Sequence, residues 1–274
     1  MDRFCNTQVE TISRQATPLR RAIERFAPLN LDDMNAVQLL DRTDTKYVLR
    51  EEQALAALAQ LGSRYRVLEI AGQRLNHYQT LYFDTADWQL FRRHHAGVPT
   101  RFKVRSRAYV DSHTSFLEVK RKHAVTRRTV KNRLGTPELV TGLDGRARAF
   151  LHEFYPGDAG RLEPRLWNSF VRVTLVSAVR CERLTLDLDI RFRTTEAASN
   201  LHGLVIAEVK QEGLSSASDW MHAMRAQGIR PTGFSKYCVG VTLLYPEVKS
   251  NHFKPKVLLI ERLLQNGRPH GRYH

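Results

Sequence analysis

The segment Arg183-Leu-Thr-Leu-Asp-Leu-Asp-Ile-Arg-Phe-Arg193 decides the fold class of this chain. Its even positions, from Leu184 to Phe192, are all apolar, whereas its odd positions carry charged or hydroxyl side chains. Successive side chains of a β-strand point to opposite faces of a sheet. The segment therefore predicts a strand with one apolar face and one charged face.

Three further segments share this alternation. They are Arg101-Phe-Lys-Val-Arg-Ser-Arg107, Glu118-Val-Lys-Arg-Lys122 and Glu208-Val-Lys210. Basic side chains at successive same-face positions repel each other unless an anion lies among them. Periodicity alone leaves two arrangements open. One is an antiparallel sheet with a solvated charged face, and the other is a closed barrel with the charged face inside and helices outside.

Helices are predicted before, between and after the strands. The clearest covers Arg50 to Leu61, with acidic residues in its first turn and Gly62 to end it. Shorter helices are expected over Thr17 to Phe26 and Lys256 to Gln265, and another with Ser216 as its cap. The chain is therefore expected to be an α+β protein.

The charge balance narrows the class of partner. The 274 residues include 43 Lys and Arg but only 28 Asp and Glu, which leaves a net charge of +15. Such a surplus indicates a polyanion, an anionic surface or an acidic substrate. No apolar run approaches the roughly 20 residues of a membrane span, and the first residues do not form a secretory signal. Three scattered cysteines fit neither a disulfide framework nor a zinc site, so a cytoplasmic protein is expected.

The alternating charges are best suited to phosphate. Arg binds phosphate through a fork of donors and Lys binds it as a mobile point charge. Acidic residues on the same faces are explained either by a divalent metal ion shared with phosphate or by salt bridges to Lys120 and Lys210. No P-loop, dinucleotide, zinc-protease or serine-hydrolase motif is present. No nucleic-acid partner is expected, because no nucleic-acid-binding motif occurs.

A series of short motifs runs from about residue 42 to about residue 240. In order, they are Tyr82-Phe-Asp-Thr85, His95, Arg101-x-Lys-x-Arg-x-Arg-x-Tyr109, Leu117-Glu-Val-Lys120, Arg183-x-Thr-x-Asp187, Glu208-Val-Lys210 and Phe234-Ser-Lys-Tyr237. This ordered set resembles the bacterial branch of the VTC (vacuolar transporter chaperone) domain family. That family belongs, with the CYTH proteins, to the triphosphate tunnel metalloenzymes.

The resemblance implies an eight-stranded antiparallel β-barrel tunnel with a charged interior and helices packed on the outside. It divides the chain into an N-terminal helical extension at residues 1–40, the barrel at residues 41–245, and a C-terminal helix with a loose tail at residues 246–274. The final helix either covers one tunnel mouth or packs on the apolar exterior. Oligomeric state is left open, and no residue indicates the membrane-protein partner that the family's best-known complex has.

The resemblance also implies the site residues. Catalytic phosphate-contacting roles fall on Lys46, Arg105, Arg107, Lys120, Arg172 and Lys236. Further phosphate-binding residues are expected at Arg42, Arg101, Lys103, Lys122, Arg183, Lys210 and Ser235. A Mn²⁺ or Mg²⁺ ion is expected at Glu208, with Glu118 and Asp187 as further candidate ligands.

The implied function is a polyphosphate polymerase that transfers the terminal phosphoryl group of ATP to a growing chain. Hydrolytic tunnel enzymes begin with Glu-x-Glu-x-Lys, whereas this chain has Arg42-Thr-Asp44-Thr-Lys46, which favours transfer over hydrolysis. A second departure replaces the tyrosine of a Tyr-x-Arg motif by Phe170. The alternatives are a triphosphatase or polyphosphatase of the same fold and a non-catalytic polyphosphate-binding module.

Overall fold

The structure is a computed structural model that describes residues 18–36, 42–123, 129–213 and 217–266. The strands are β1 (Ala27–Leu29), β2 (Arg42–Arg50), β3 (Tyr65–Leu68), β4 (Asn76–Thr85), β5 (Thr100–Tyr109), β6 (Thr114–His123), β7 (Thr129–Thr136), β8 (Leu162–Ser177), β9 (Glu182–Arg193), β10 (Ala198–Asn200) and β11 (Leu204–Glu212). The helices are α1 (Pro18–Glu24), α2 (Leu31–Ala36), α3 (Glu51–Leu61), α4 (Gln89–His95), α5 (Gly145–Phe154), α6 (Asp219–Ala226), α7 (Lys236–Leu244) and α8 (Lys254–Asn266). None of these helices is long and apolar enough to cross a membrane.

The predicted strands and helices are confirmed. All four alternating segments lie in β5, β6, β9 and β11, and the helix expected over residues 50–61 is α3. The helix predicted near residue 216 is α6, whose cap is Ser218: its hydroxyl accepts the Met221 amide N–H. Ser216 itself lies outside the described residues.

One curled sheet forms the body of the protein. Its eight main strands run in the order β2-β11-β9-β8-β4-β5-β6-β7 with antiparallel pairing throughout. Within the described residues β2 and β7 do not pair, so the prediction of a closed barrel is wrong. Lys46 of β2 and Lys120 of β6 both line one cavity, and the charge of Lys46 acts on Lys120. Like charges repel each other, which disfavours closing the sheet at this point.

The convex face carries a helical layer, as expected. Odd-numbered residues of β2 and β11, such as Leu49 and Val205, are fully buried against Leu58 of α3 and Trp220 of α6. A separate cluster packs Phe150 and Leu151 of α5 against β5 and β6. These helices cover the apolar side chains that the sequence periodicity places on one face.

The concave face carries the expected charged side chains over part of its area and apolar side chains over the rest. Val48 and Ile206 lie on the same strand faces as Lys46 and Glu208, yet they belong to an apolar cluster with Val239 of α7. Helix α7 therefore packs inside the curl of the sheet. It divides the concave face into an apolar half beneath the helix and a charged half beside it.

A bulge in β9 helps to seat α7. Asp189 has φ +47°, and the pairing of β8 with β9 shifts register beside it. Two residues of β9 then oppose one of β8, so the alternation of faces is interrupted. Ile190 and Phe192 consequently join the cluster around α7, whereas Leu186 packs against the convex helices.

Helix α8 packs on the same apolar cluster. Ile260 is buried in it, and Leu259, Leu263 and Leu264 pack against it. Helix α8 therefore packs with α7 and not in the layer formed by α3 and α6. The division of the chain at residues 40 and 245 stays a prediction.

Candidate active site

Glu118 is the most deeply buried acid of the charged half. Its side chain is 0% exposed, and it accepts hydrogen bonds from Arg105 Nε at 2.6 Å and Arg133 Nε at 2.8 Å. Lys131 lies 3.7 Å away. Burial alone would raise the pKa of Glu118, but these cations outweigh burial and lower it to about 2. Glu118 is therefore a charged structural anchor.

Asp187 anchors a second group of cations. Arg172 binds it with two hydrogen bonds, Nε to Oδ1 at 2.5 Å and Nη2 to Oδ2 at 2.8 Å, and Lys236 donates to Oδ2. Lys236 Nζ also lies 4.3 Å from the centre of the Phe170 ring. Burial, partly offset by Asp187, lowers the pKa of Lys236 to about 8.

Arg107 lies next to this group without a carboxylate partner among the described residues. Its Nε donates to Thr80 Oγ1 at 3.1 Å. Its guanidinium lies 5.7 Å from the ring centres of both Tyr78 and Phe170. The Phe170 ring thus contacts both Arg107 and Lys236.

Glu208 is the most accessible of the three candidate metal ligands. It accepts from Lys46 and from Lys210, the latter at 2.8 Å, and Lys210 also reaches Asp44 at 3.3 Å. The side chain of Glu208 is 16% exposed, compared with 0% for Glu118 and 4% for Asp187. Burial alone would raise the pKa of Glu208, but the two lysines hold it well below its ordinary value.

Of the three candidate carboxylate ligands, only Glu208 has surroundings that suit a metal ion. Within the described part of the chain no three His, Cys, Asp or Glu side chains come together as a metal site. Mg²⁺ and similar ions are commonly held by one or two carboxylates together with substrate phosphates. Glu208 can supply such a carboxylate, since flexible lysines can move to phosphate oxygens. The arginine-paired positions of Glu118 and Asp187 favour salt bridges over metal binding.

A cavity of about 510 Å³ opens beside Lys46. The basic residues that line it are Lys46, Arg101, Lys103, Lys120, Lys122 and Lys256, and Asp44 is the acid in its described lining. Strand register sets like charges directly opposite each other there: Arg101 pairs with Lys122, and Lys103 pairs with Lys120. Such cross-strand pairs are destabilising unless an anion lies between them. The cavity therefore favours an anion.

Lys120 shows the strength of this repulsion. It makes no ion pair with any described acid, and its side chain is largely buried. Burial together with the charges of Lys103, Arg105 and Lys46 lowers its pKa to about 7. A bound anion would restore its charge by raising that pKa.

The first turn of α7 adds hydrogen-bond donors to the cavity. Ser235 caps the helix by accepting the Cys238 amide N–H at 3.2 Å, and Lys103 donates to the same hydroxyl oxygen at 2.8 Å. With its oxygen so occupied, the Ser235 hydroxyl keeps its own proton to donate. The positive end of the helix dipole also favours an anion at this position.

Comparison with known proteins identifies the family. A model of the VTC domain matches residues 41–245. The chain belongs to the VTC domain family. The resemblance seen in its sequence motifs is thereby confirmed, and a triphosphate tunnel fold is indicated.

Solved structures similar to this VTC domain are distant. A protein from Bacillus halodurans, provisionally named an adenylate cyclase, has 14% identity and a TM-score of 0.44, covering 74% of this chain and 96% of that one. A Vibrio parahaemolyticus protein of the same provisional name has 14% identity and a TM-score of 0.40, covering 71% and 94%. No curated protein matches the chain. These likenesses establish neither the activity nor the ligand of this VTC domain.

Most of the predicted site residues of the VTC domain fall into two groups. Lys46, Arg101, Lys103, Lys120, Lys122 and Ser235 line the cavity. Arg105, Arg172, Lys210 and Lys236 are held by carboxylates, and Arg107 lies beside them. Arg183 lies opposite Lys210 in the sheet. The backbone of Arg42 pairs with Glu212, and its side chain lies outside the described part.

Sequence reasoning missed several residues of this region. Lys256, His94 and His252 line the cavity from helices and a turn, where strand periodicity gives no signal. Lys131 and Arg133 alternate along β7 and could have been found by the same pattern as β5. The family motif residue Asp84 is structural, because its buried carboxylate accepts three backbone N–H groups and the Tyr237 hydroxyl.

Proposed function

We propose that this VTC domain is a metal-dependent polyphosphate polymerase that moves the terminal phosphoryl group of ATP onto a growing phosphate chain. The observation that carries the proposal is the pair of like-charged cross-strand contacts in the cavity, Arg101 with Lys122 and Lys103 with Lys120. A linear chain of phosphates supplies negative charge at regular spacing along such a surface. Membership of the VTC family supports the same ligand class.

The proposed reaction needs positioning and charge neutralisation more than covalent chemistry. An oxygen of the chain-end phosphate attacks the γ-phosphorus of ATP, the bond to the β-phosphate oxygen breaks, and ADP leaves. The transition state is loose, with negative charge spread over the transferred group. Fixed cations such as Arg105, Arg107 and Arg172 can stabilise that charge without rearranging, because carboxylates, a hydroxyl and aromatic rings already hold them.

Lys46 connects the candidate metal ligand Glu208 with the phosphate-binding cavity. It donates to Glu208 and also lines the cavity. An arriving phosphate competes with Glu208 for this lysine, which would free the carboxylate to hold a divalent ion. When bound, that ion would neutralise phosphate oxygens alongside the basic side chains.

The acids near the cavity favour transfer over hydrolysis. A general base within hydrogen-bond reach promotes attack by a water molecule. Asp44, the acid of the described lining, is engaged by Lys210 at 3.3 Å. No other carboxylate is described among the lining residues. An acceptor phosphate needs no such base, because it already carries negative charge.

The test is incubation of the purified protein with ATP and Mn²⁺ or Mg²⁺, followed by separation of phosphate chains and measurement of ADP. Chains formed together with ADP support the proposal. Release of inorganic phosphate without chains would instead identify a hydrolase. Binding of tripolyphosphate without turnover would identify a binding module.

Glu208→Gln tests the metal assignment within the same assay. We expect turnover to fall at least about 100-fold, as is typical when charge stabilisation at the reacting centre is lost. Tripolyphosphate binding should persist, because the cavity cations remain. Glu212→Gln, at the exposed end of the same strand, is the matched control. Full activity of the Glu208 variant would contradict the assignment.

A further inference from the structure

The cavity has a second wall that a phosphate chain does not explain. Besides its basic residues, the cavity is lined by Phe234, Cys238 and Val239, and by Phe253 with the imidazoles of His94 and His252; these residues form the second wall. Inorganic phosphate has no apolar surface to bury against such residues. A ligand that uses both walls must join an anionic part to a flat, weakly polar part.

His252 presents an aromatic ring at the rim of this wall. The residue is exposed, and its backbone N–H donates to His95 Nε2 at 3.3 Å. Its ring lies edge-on to Phe253, with 5.4 Å between ring centres, and 6.2 Å from the ring of His95. Phe253 is itself buried against Phe91 at 5.6 Å. The exposed imidazole therefore rests on a packed aromatic base, which reduces the entropy lost when a ligand stacks on it.

His94 adds a hydrogen-bond acceptor to a cavity that is rich in donors. Its Nε2 lies 3.2 Å from the carbonyl oxygen of Phe102. Burial and the neighbouring Lys103 lower the pKa of His94 to about 2, so the ring is neutral and Nε2–H donates to that carbonyl. Nδ1 is then an acceptor, which suits an amino group.

We propose that His252, Phe253 and His94 form a subsite for the purine base of a nucleoside triphosphate whose phosphates lie against the basic wall. The inference rests on the proposed function, because it assumes that a nucleotide is the phosphoryl donor. Purines stack on aromatic side chains, and the 6-amino group of adenine can donate to His94. The subsite distinguishes the nucleotide donor from the inorganic acceptor chain, which has no base.

The test compares dissociation constants for ATP and for inorganic tripolyphosphate, measured by titration calorimetry on the full chain. His252→Ala should weaken ATP binding at least about fivefold, the lower end for loss of one base–aromatic stack. Tripolyphosphate binding should stay within twofold of the wild type. His252→Trp should restore ATP affinity, because indole supplies a larger stacking surface. His222→Ala, an exposed histidine of α6 on the convex layer, is the matched control.

The outcomes separate the two proposals. Equal weakening of ATP and tripolyphosphate by His252→Ala, or no weakening of either, would overturn the base subsite while leaving the phosphate site intact. Absence of tripolyphosphate binding by the wild-type protein would overturn the proposed function itself. Inosine triphosphate, which has an oxygen in place of the 6-amino group, should bind the wild type at least about threefold more weakly than ATP. Equal affinity for the two nucleotides would refute the role of His94.

Discussion

Helix α7 can be displaced by one methyl group, which makes Gly240→Ala a direct probe of its role. A Cβ at position 240 would lie 2.6 Å from both Leu166 Cδ2 and Phe192 Cδ1. Carbon atoms pack at about 3.5–4.0 Å, so α7 or these side chains must move by about 1 Å. Both neighbours are at most 1% exposed and have little room to yield. We therefore expect the helix to shift away from the sheet.

The shift should affect catalysis more than affinity. Overpacking of this kind costs about 1–3 kcal/mol, or roughly 4–8 °C in Tm at the middle of that range for a protein of this size. Ser235 and Lys236 begin the displaced helix, and a misplacement of about 1 Å can lower turnover by about 100-fold. Tripolyphosphate affinity should change less than about threefold, because Arg101, Lys103, Lys120 and Lys122 lie on the sheet.

The assay measures ATP turnover, tripolyphosphate affinity and thermal unfolding for Gly240→Ala. Gly142→Ala is the matched control, since a Cβ there meets no atom within 4 Å. The double variant Gly240→Ala with Phe192→Leu relieves part of the overlap and should recover part of the turnover. Wild-type turnover in a folded, less stable Gly240→Ala protein would refute the link between α7 and catalysis. Equal loss in the single and double variants would refute the steric explanation.

Three further predictions concern the charged residues. The pKa of Lys120 is lowered from 10.5 to about 7, so its side chain is mostly neutral at pH 8.5 and charged at pH 6. Tripolyphosphate should therefore bind more tightly as pH falls through 7, with uptake of a proton. Calorimetry in buffers of different ionisation enthalpy measures this uptake, and Lys120→Arg should flatten the pH profile. Glu118→Gln leaves the buried Arg105 and the more exposed Arg133 without their anion. It should lower the free energy of unfolding by about 3–5 kcal/mol in urea titrations. An effect below about 1 kcal/mol would contradict the anchoring role. Tripolyphosphate affinity should fall steeply between 50 and 500 mM salt, because exposed charges are screened; salt-independent binding would show that the basic wall is not the binding surface.

Local pattern was sufficient to predict the elements that build the site. The alternation of Arg183 to Arg193 and of Arg101 to Arg107 predicted strands with one charged face, because successive side chains point to opposite sides. Acidic residues in the first turn and Gly62 at the end predicted α3 for equally local reasons. The ordered motifs predicted the VTC family, which the match to residues 41–245 confirms.

The interior of the fold was not predictable from local pattern. A strict two-residue period gave no sign of the bulge at Asp189, where backbone pairing and not side-chain type interrupts the alternation. Helix α7 was not predicted at all, and its placement inside the curl depends on contacts with distant strands. Whether the curled sheet closes likewise depends on contacts between β2 and strands more than 50 residues away in the chain.

Alternation along each strand already shows which basic residues share a face, but the pairing of distant strands sets which of them can bind an anion. Arg101, Lys103 and Arg105 have the same spacing and lie on one face of β5. The register with β6 gives Arg105 the partner Glu118, whereas Lys103 and Arg101 face Lys120 and Lys122. A basic side chain is neutralised only by an opposite charge within a few ångströms. The distances between these charges are set by the pairing of strands that are distant in the chain.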